Sequence, residues 1–235
     1  MYAAQWSALV AQKDLALPHL SQGYPAMMQD FVDKKIGVTA LGGTTEAYVK
    51  SAFEGAGLSG TSATFVPVGG VTTAIPALRN GVVDAAMMFG TGPDLAEVLG
   101  AGKIVLDLRK RGVGPDPVKA LWGATLSWAG YGPNIDKNPD AVTAFVTANN
   151  EAIEWIKNSD HREAIYAIVK KRMTLPSDTA DPDAALKRIV DVNANGVSAG
   201  VPAGAIEGWN NYLISLKQIE KPIPYDDLVW KSGRL

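Results

Sequence analysis

The chain predicts an α/β fold, a lobe with a mainly parallel sheet followed by a helical part, and three features of the sequence carry that expectation. Between residues 33 and 108, short apolar strands alternate with short amphipathic helices, the pattern of βαβ units. Each strand is followed by a glycine-containing break and then by a helix opening, as parallel strands with right-handed crossovers require. From Asn138 onward the apolar period becomes helical.

The elements follow in order. Lys35–Ala40 reads as a strand, Gly42-Gly43 breaks it, and Thr44-Thr45-Glu46 opens a helix with Tyr48, Val49, Ala52 and Phe53 on one face. Gly57 stands where a left-handed C-terminal glycine belongs. Thr64–Val68 is the next strand, Gly69-Gly70 the break, and Thr72–Asn80 a short helix with Pro76 tolerated near its first turn. Val82–Phe89 reads as a strand buried on both faces, Gly90-Thr91-Gly92 as a turn, and Pro93 as a first helical residue. Ile104–Leu108 is a further strand and Gly112–Pro117 a loop, and Trp122–Trp128 reads as a strand leaving the lobe. Val142, Phe145, Val146, Asn149, Ile153 and Ile156 then share one helical face, and Asp160 is placed to cap the next helix. Two more helices are marked by Ala185–Val190 and by Ile206–Leu216. These helices lack a sheet of their own, and Trp6–Gln12 is the one nearby strand that could serve them.

Composition narrows the function. Hydrophobic residues make up 47% and charged residues 20%, with a formal net charge of −2 and no basic block, so nucleic-acid binding is not expected. The absence of cysteine removes disulfides, thiolate metal sites and Cys nucleophiles, and two distant histidines make a metal centre or a hydrolytic triad unexpected. No Gly-x-Ser-x-Gly elbow and no Walker A lysine motif occur. The start, Met1–Trp6, lacks the basic and apolar segments of a signal peptide.

The candidate site follows from the fold. Ligands of open parallel sheets lie beyond the carboxyl ends of the strands. Three strand-to-helix loops occur there in succession, at Gly42–Thr45, Gly69–Thr73 and Phe89–Gly92. Helix N-termini present free N–H groups and positive dipole ends, glycines admit a ligand to the backbone, and threonines add hydroxyls. Gly43, Thr44, Thr45, Gly70, Val71, Thr72, Phe89, Gly90 and Thr91 are therefore the candidate ligand residues, with Trp6 as a candidate wall. The same threonines also suit ordinary helix capping. None of the loops contains Arg or Lys, which disfavours a ligand held by several full charges.

The segments Lys34–Thr39, Gly43-Thr44-Thr45, Val66–Gly70, Ala77–Ala85, Gly200–Trp209 and Lys221–Leu228, in this order, resemble the ABC-importer solute-binding proteins for nitrate, taurine, alkanesulfonates and thiamine precursors. The resemblance implies a type II periplasmic-binding-protein fold, with residues 33–128 as the second lobe and residues 1–32 and 129–235 as parts of the first. It implies a periplasmic or lipid-anchored monomer that catches a small polar or anionic organic solute between its lobes. Such a protein needs no cofactor, performs no catalysis and delivers its solute to permease subunits in the membrane. Family members carry a signal peptide and further strands and helices ahead of the segment resembling Trp6–Asp14, so the first lobe is expected to be incomplete here. Two other readings remain. A dinucleotide-binding oxidoreductase would use Gly90-Thr91-Gly92 and Asp107, although Leu95 stands where a third glycine belongs. A ligand-sensing regulatory domain would share the architecture.

Overall fold

The computed structural model describes residues 2–3, 6–175, 177, 179 and 181–234. The chain divides into a sheet unit, residues 6–119 with 172–189, and a helical unit formed by residues 120–171, residues 190–235 and the first few residues.

The sheet unit is built on five strands in the order β4-β3-β5-β2-β6. These are β2 (Ser7–Gln12), β3 (Lys35–Val38), β4 (Thr64–Pro67), β5 (Ala85–Phe89) and β6 (Gly102–Asp107). β3 runs parallel to β4 and to β5, and β2 runs antiparallel to both of its neighbours, β5 and β6. All strands but β2 therefore point the same way. Helices α1 (Thr44–Gly55), α2 (Val71–Arg79) and α3 (Gly92–Val98) follow β3, β4 and β5. Leu78 and Ile75 of α2 and Ala96 of α3 pack with Val10, Ala86 and Met88 in one apolar cluster. Alternation turns Leu9 and Met87 to the other face of the sheet, and both are buried. On β6, a Cβ at Gly102 would strike the Ala11 carbonyl oxygen and lie 2.8 Å from Leu78 Cδ2, so only glycine lets β6 close on β2. The short helix α4 (Asp116–Lys119) ends the first part of this unit.

The helical unit contains α5 (Gly132–Lys137), α6 (Pro139–Lys157), α7 (Arg162–Arg172), α9 (Ala203–Ser215) and α10 (Tyr225–Leu228). Its strands among the described residues are β1 (Tyr2–Ala3) and β7 (Val197–Ser198), paired antiparallel. α8 (Pro182–Asn195) begins in the sheet unit and ends in the helical one. In α6 only Ile153 is buried, whereas Phe145 is 47% exposed. Trp128 stands edge-on to Phe145 at 5.6 Å and donates from Nε1 to Asn149 Oδ1 at 3.1 Å.

Several expectations need correction. Ser7–Gln12 does not serve the helices; its apolar residues, all buried from Ser7 to Ala11, are paired on both sides within the sheet unit. Trp122–Trp128 is turn and irregular chain with a single bridge residue rather than a strand. The strand expected from Val82 starts at Ala85, and Val82 is 53% exposed. Pro76 is the sixth residue of α2, beyond the first turn, and faces solvent. The cap before α7 is Asn158, whose side chain accepts from the Asp160 N–H at 2.9 Å, because a 3₁₀ turn precedes the helix. Among the described residues no helix is long and apolar enough to cross a membrane.

Candidate functional site

Parallel neighbours release their loops on one edge, so the order β4-β3-β5 sets the N-termini of α2, α1 and α3 side by side. Each loop turns through a glycine of positive φ: Gly42 at 73°, Gly69 at 70° and Gly90 at 61°. β2 enters the sheet at this edge, and the Trp6 carbonyl accepts the Gly90 N–H at 2.8 Å. Trp6 thus stands beside Phe89, one residue before the Ser7–Phe89 pair.

The threonines divide into two kinds. Thr45 is buried, and its Oγ1 accepts the Thr39 N–H at 2.9 Å, tying the end of β3 to the start of α1. Thr73 Oγ1 donates to the Gly70 carbonyl at 3.0 Å and also meets the Val68 carbonyl. Thr44 and Thr72, exposed like Thr73, stand at the first and second positions of their helices. Gly43 and Gly70 are the N-cap residues of α1 and α2 in extended conformation, without side-chain caps. At the start of α2 the Thr73 N–H already bonds the Gly70 carbonyl at 3.1 Å, and the earlier N–H groups of both helices have no acceptor within the helix. Thr91 precedes α3 as its N-cap, and Val71 packs partly onto the cluster beneath α2 and α3.

Charge is distributed unevenly over the three helix starts. In α1, Glu46 Oε2 accepts the Gly42 N–H at 2.7 Å, and Lys50 Nζ lies 2.5 Å from Oε1. In α3, Asp94 is fully buried in the first turn. Its Oδ2 lies 2.6 Å from Arg109 Nη1, and Arg109 Nε also reaches Asp107 Oδ1 at 2.8 Å. Burial alone would lower the Arg109 guanidinium, yet its hydrogen bonds to Asp107 and Asp94 outweigh that and hold it above its ordinary value. Arg188 of α8 pairs with Glu97 and approaches Asp94 at 3.8 Å. α2 alone of the three has no acid in its first turn. A negative group meets the least opposition there.

The Lys50 hydrogen bond, with the Gly42 N–H and the Lys50 charge, outweighs burial and holds the Glu46 carboxyl below its ordinary value of 4.5. A carboxylate lowered on folding adds stability above its unfolded value and loses it as pH falls through the folded one. Glu46→Gln should therefore cost about 1 kcal/mol at pH 7 and progressively less below about pH 4.5. Melting curves of both proteins from pH 7 to pH 3 measure this, and a constant gap would refute it.

Sequence reasoning missed Glu46, Arg109 and Leu41 as parts of this edge. Arg109 follows β6, and the loops themselves contain no cation. The available signal was Asp94 and Asp107 set among apolar residues, since buried carboxylates need a cation. Asp107, the candidate ribose acid, is engaged by Arg109 through both carboxylate oxygens. Leu95 packs on the cluster under α2 and α3. Among the described residues no three His, Cys, Asp or Glu stand together as a metal site. A groove of about 590 Å³ lined by Tyr24, Pro25, Gly55 and Pro115 adjoins the C-terminal end of α1, at the opposite edge of the sheet.

A mixed sheet flanked by helices, with three consecutive helix starts on one edge, belongs to the periplasmic-binding-protein class of folds. Solved structures share it, three of them as follows. The first, a protein of Bordetella bronchiseptica RB50, is 20% identical with a TM-score of 0.60, and the match covers 97% of this chain and 66% of that one. The periplasmic aliphatic sulphonate binding protein SsuA of Escherichia coli is 15% identical with a TM-score of 0.63, covering 100% of this chain and 70% of that one. The alkanesulfonate-binding protein SsuA of Xanthomonas axonopodis pv. citri, bound to MOPS, is 13% identical with a TM-score of 0.65, covering 97% and 73%. The chain thus spans about two thirds to three quarters of the length of these structures. No curated protein sequence matches it. The sequence model of the NMT1/THI5-like family matches residues 25–162, and the chain belongs to that family.

Proposed function

We propose that this chain is the extracytoplasmic solute-binding component of an ABC importer, capturing a small organic solute that bears a polar or anionic group. The observation that supports the reading is the convergence of the starts of α1, α2 and α3 on one sheet edge. Backbone N–H groups, helix dipoles and exposed threonine hydroxyls together make a donor-rich surface that binds a sulfonate or carboxylate without a full positive charge. Gly43, Thr44, Gly70, Val71, Thr72, Gly90 and Thr91 hold the polar group, and Thr45 orders the loop from behind. The protein acts in the periplasm, as a free or lipid-anchored monomer, and passes the solute to membrane permease subunits. It performs no chemistry on the solute and uses no cofactor.

Thermal-shift screening of sulfonates, carboxylates, pyrimidines and nicotinamide dinucleotides tests this reading. At a hundred times its Kd a cognate solute adds about 2.7 kcal/mol of stability, which raises the melting temperature by several degrees. Stabilisation by an organic acid that is recovered unchanged supports the reading. Stabilisation by a dinucleotide alone, or turnover of the bound acid, would refute it.

A further inference from the structure

The sheet unit has a second concave surface, the groove of about 590 Å³ at the C-terminal end of α1. Its size lies within the roughly 300–1,000 Å³ of small-ligand pockets. Its walls depend on glycines. Gly112 and Gly114 turn the loop before α4 at positive φ, 81° and 98°, and a Cβ at Gly114 would lie 2.5 Å from Leu108 Cδ2. A Cβ at Gly55, the last residue of α1, would strike the Tyr24 hydroxyl and come within 2.9 Å of Pro115 Cβ. Glycine there lets the Tyr24 hydroxyl close on the helix end, where it donates to the Ala52 carbonyl at 3.3 Å.

The electrostatics are the reverse of those at the other edge. Pro25, Pro115 and Pro117 line the groove, and proline has no N–H to offer. The last turn of α1 contains no basic residue, so its negative dipole end is not compensated from within the helix. Asp116 stands on the rim with its side chain 93% exposed. Burial, and after it the charge of Asp116, raise the Tyr24 phenol above its ordinary value of 10.0. Among the described residues lining the groove the only cation is Lys119, whose ammonium lies 2.5 Å from Asp116 Oδ1. The rim carboxylate is thus already seated against an ammonium group. An exposed pair of this kind is weakly held, so the carboxylate can exchange one ammonium for another.

We propose that this groove is a second small-molecule site, separate from the solute edge, and that it takes a primary alkylammonium ion. The ammonium replaces Lys119 at Asp116, on the negative side of α1, and the alkyl body lies against the proline rings and Tyr24. An anion meets the helix end and the carboxylate together and is excluded.

Calorimetric titration with butylammonium chloride, against sodium chloride at equal ionic strength, tests the assignment. Asp116→Asn should weaken binding about fivefold, and Lys119→Met should strengthen it by a similar factor because it frees the carboxylate. Melting curves establish that both variants are folded. In the unsubstituted protein the ultraviolet titration of Tyr24 should move to lower pH on binding, since a nearby cation favours the phenolate. Tetramethylammonium, which has no N–H, should bind more weakly. Absence of butylammonium binding, an unmoved Tyr24 titration, or equal affinity in the protein and its two folded variants would overturn the proposal. Equal affinity for tetramethylammonium would overturn the assignment to a primary ammonium. None of these outcomes depends on whether the solute edge binds an acid.

Discussion

Replacing Arg109 with methionine should cost about 3–5 kcal/mol of stability, because it leaves Asp94 as a fully buried carboxylate without its closest cation. Arg109 is itself only 10% exposed and bridges Asp94 at the start of α3 to Asp107 at the end of β6. Arg188 lies too far away, at 3.8 Å from Asp94, to take over its hydrogen bonds. Methionine keeps much of the apolar stem, so the loss reports the charge rather than the packing. A double-mutant cycle with Asp94→Asn isolates the pair, and the doubly substituted protein should recover part of the loss. Urea or thermal unfolding provides the measurement. A change under about 1 kcal/mol for Arg109→Met would show that the pair behaves as an ordinary surface contact.

The second large effect concerns binding. Thr44→Val with Thr72→Val removes two exposed hydroxyls from neighbouring helix starts at nearly constant volume. Each lost hydrogen bond is worth about 0.5–1.5 kcal/mol, or about 1.5–3 kcal/mol if the solute group is charged. Affinity for a solute found by screening should therefore fall roughly 10- to 100-fold. Stability should change by less than about 1 kcal/mol, since the Thr45 bond to Thr39 and the Thr73 bond to Gly70 remain. Calorimetry and melting curves on the same samples separate the two effects. Unchanged affinity would show that these helix starts do not hold the solute.

The three βαβ units were legible in the sequence because their determinants are local. Gly42, Gly69 and Gly90 turn the chain, and α1 shows its apolar face as Tyr48, Val49, Ala52 and Phe53. The place of β2 was not legible. A short apolar strand reads the same whether it pairs with β5 and β6 or elsewhere, and those partners lie far along the chain. Trp122–Trp128 failed for the converse reason: it has the composition of a strand, yet Leu126 alone of it forms a bridge. At the site, the positions of the loops were legible and their electrostatics were not. Arg109 reaches Asp94 across fifteen residues, and that spacing has no periodic signature.

The position of β2 also sets the order of events as the chain leaves the ribosome. Ser7–Gln12 is an apolar ribbon that precedes both of its partners by many residues, β6 coming last of all. Local turns such as α1 can form at once, but the middle of the sheet stays open until Gly102–Asp107 has been synthesised. Closing so long a loop is slow, and an uncovered strand of this kind is prone to pair with another chain. The vulnerable interval is therefore the one before β2 is enclosed between β5 and β6, and its exposed target is the segment around Leu9 and Val10.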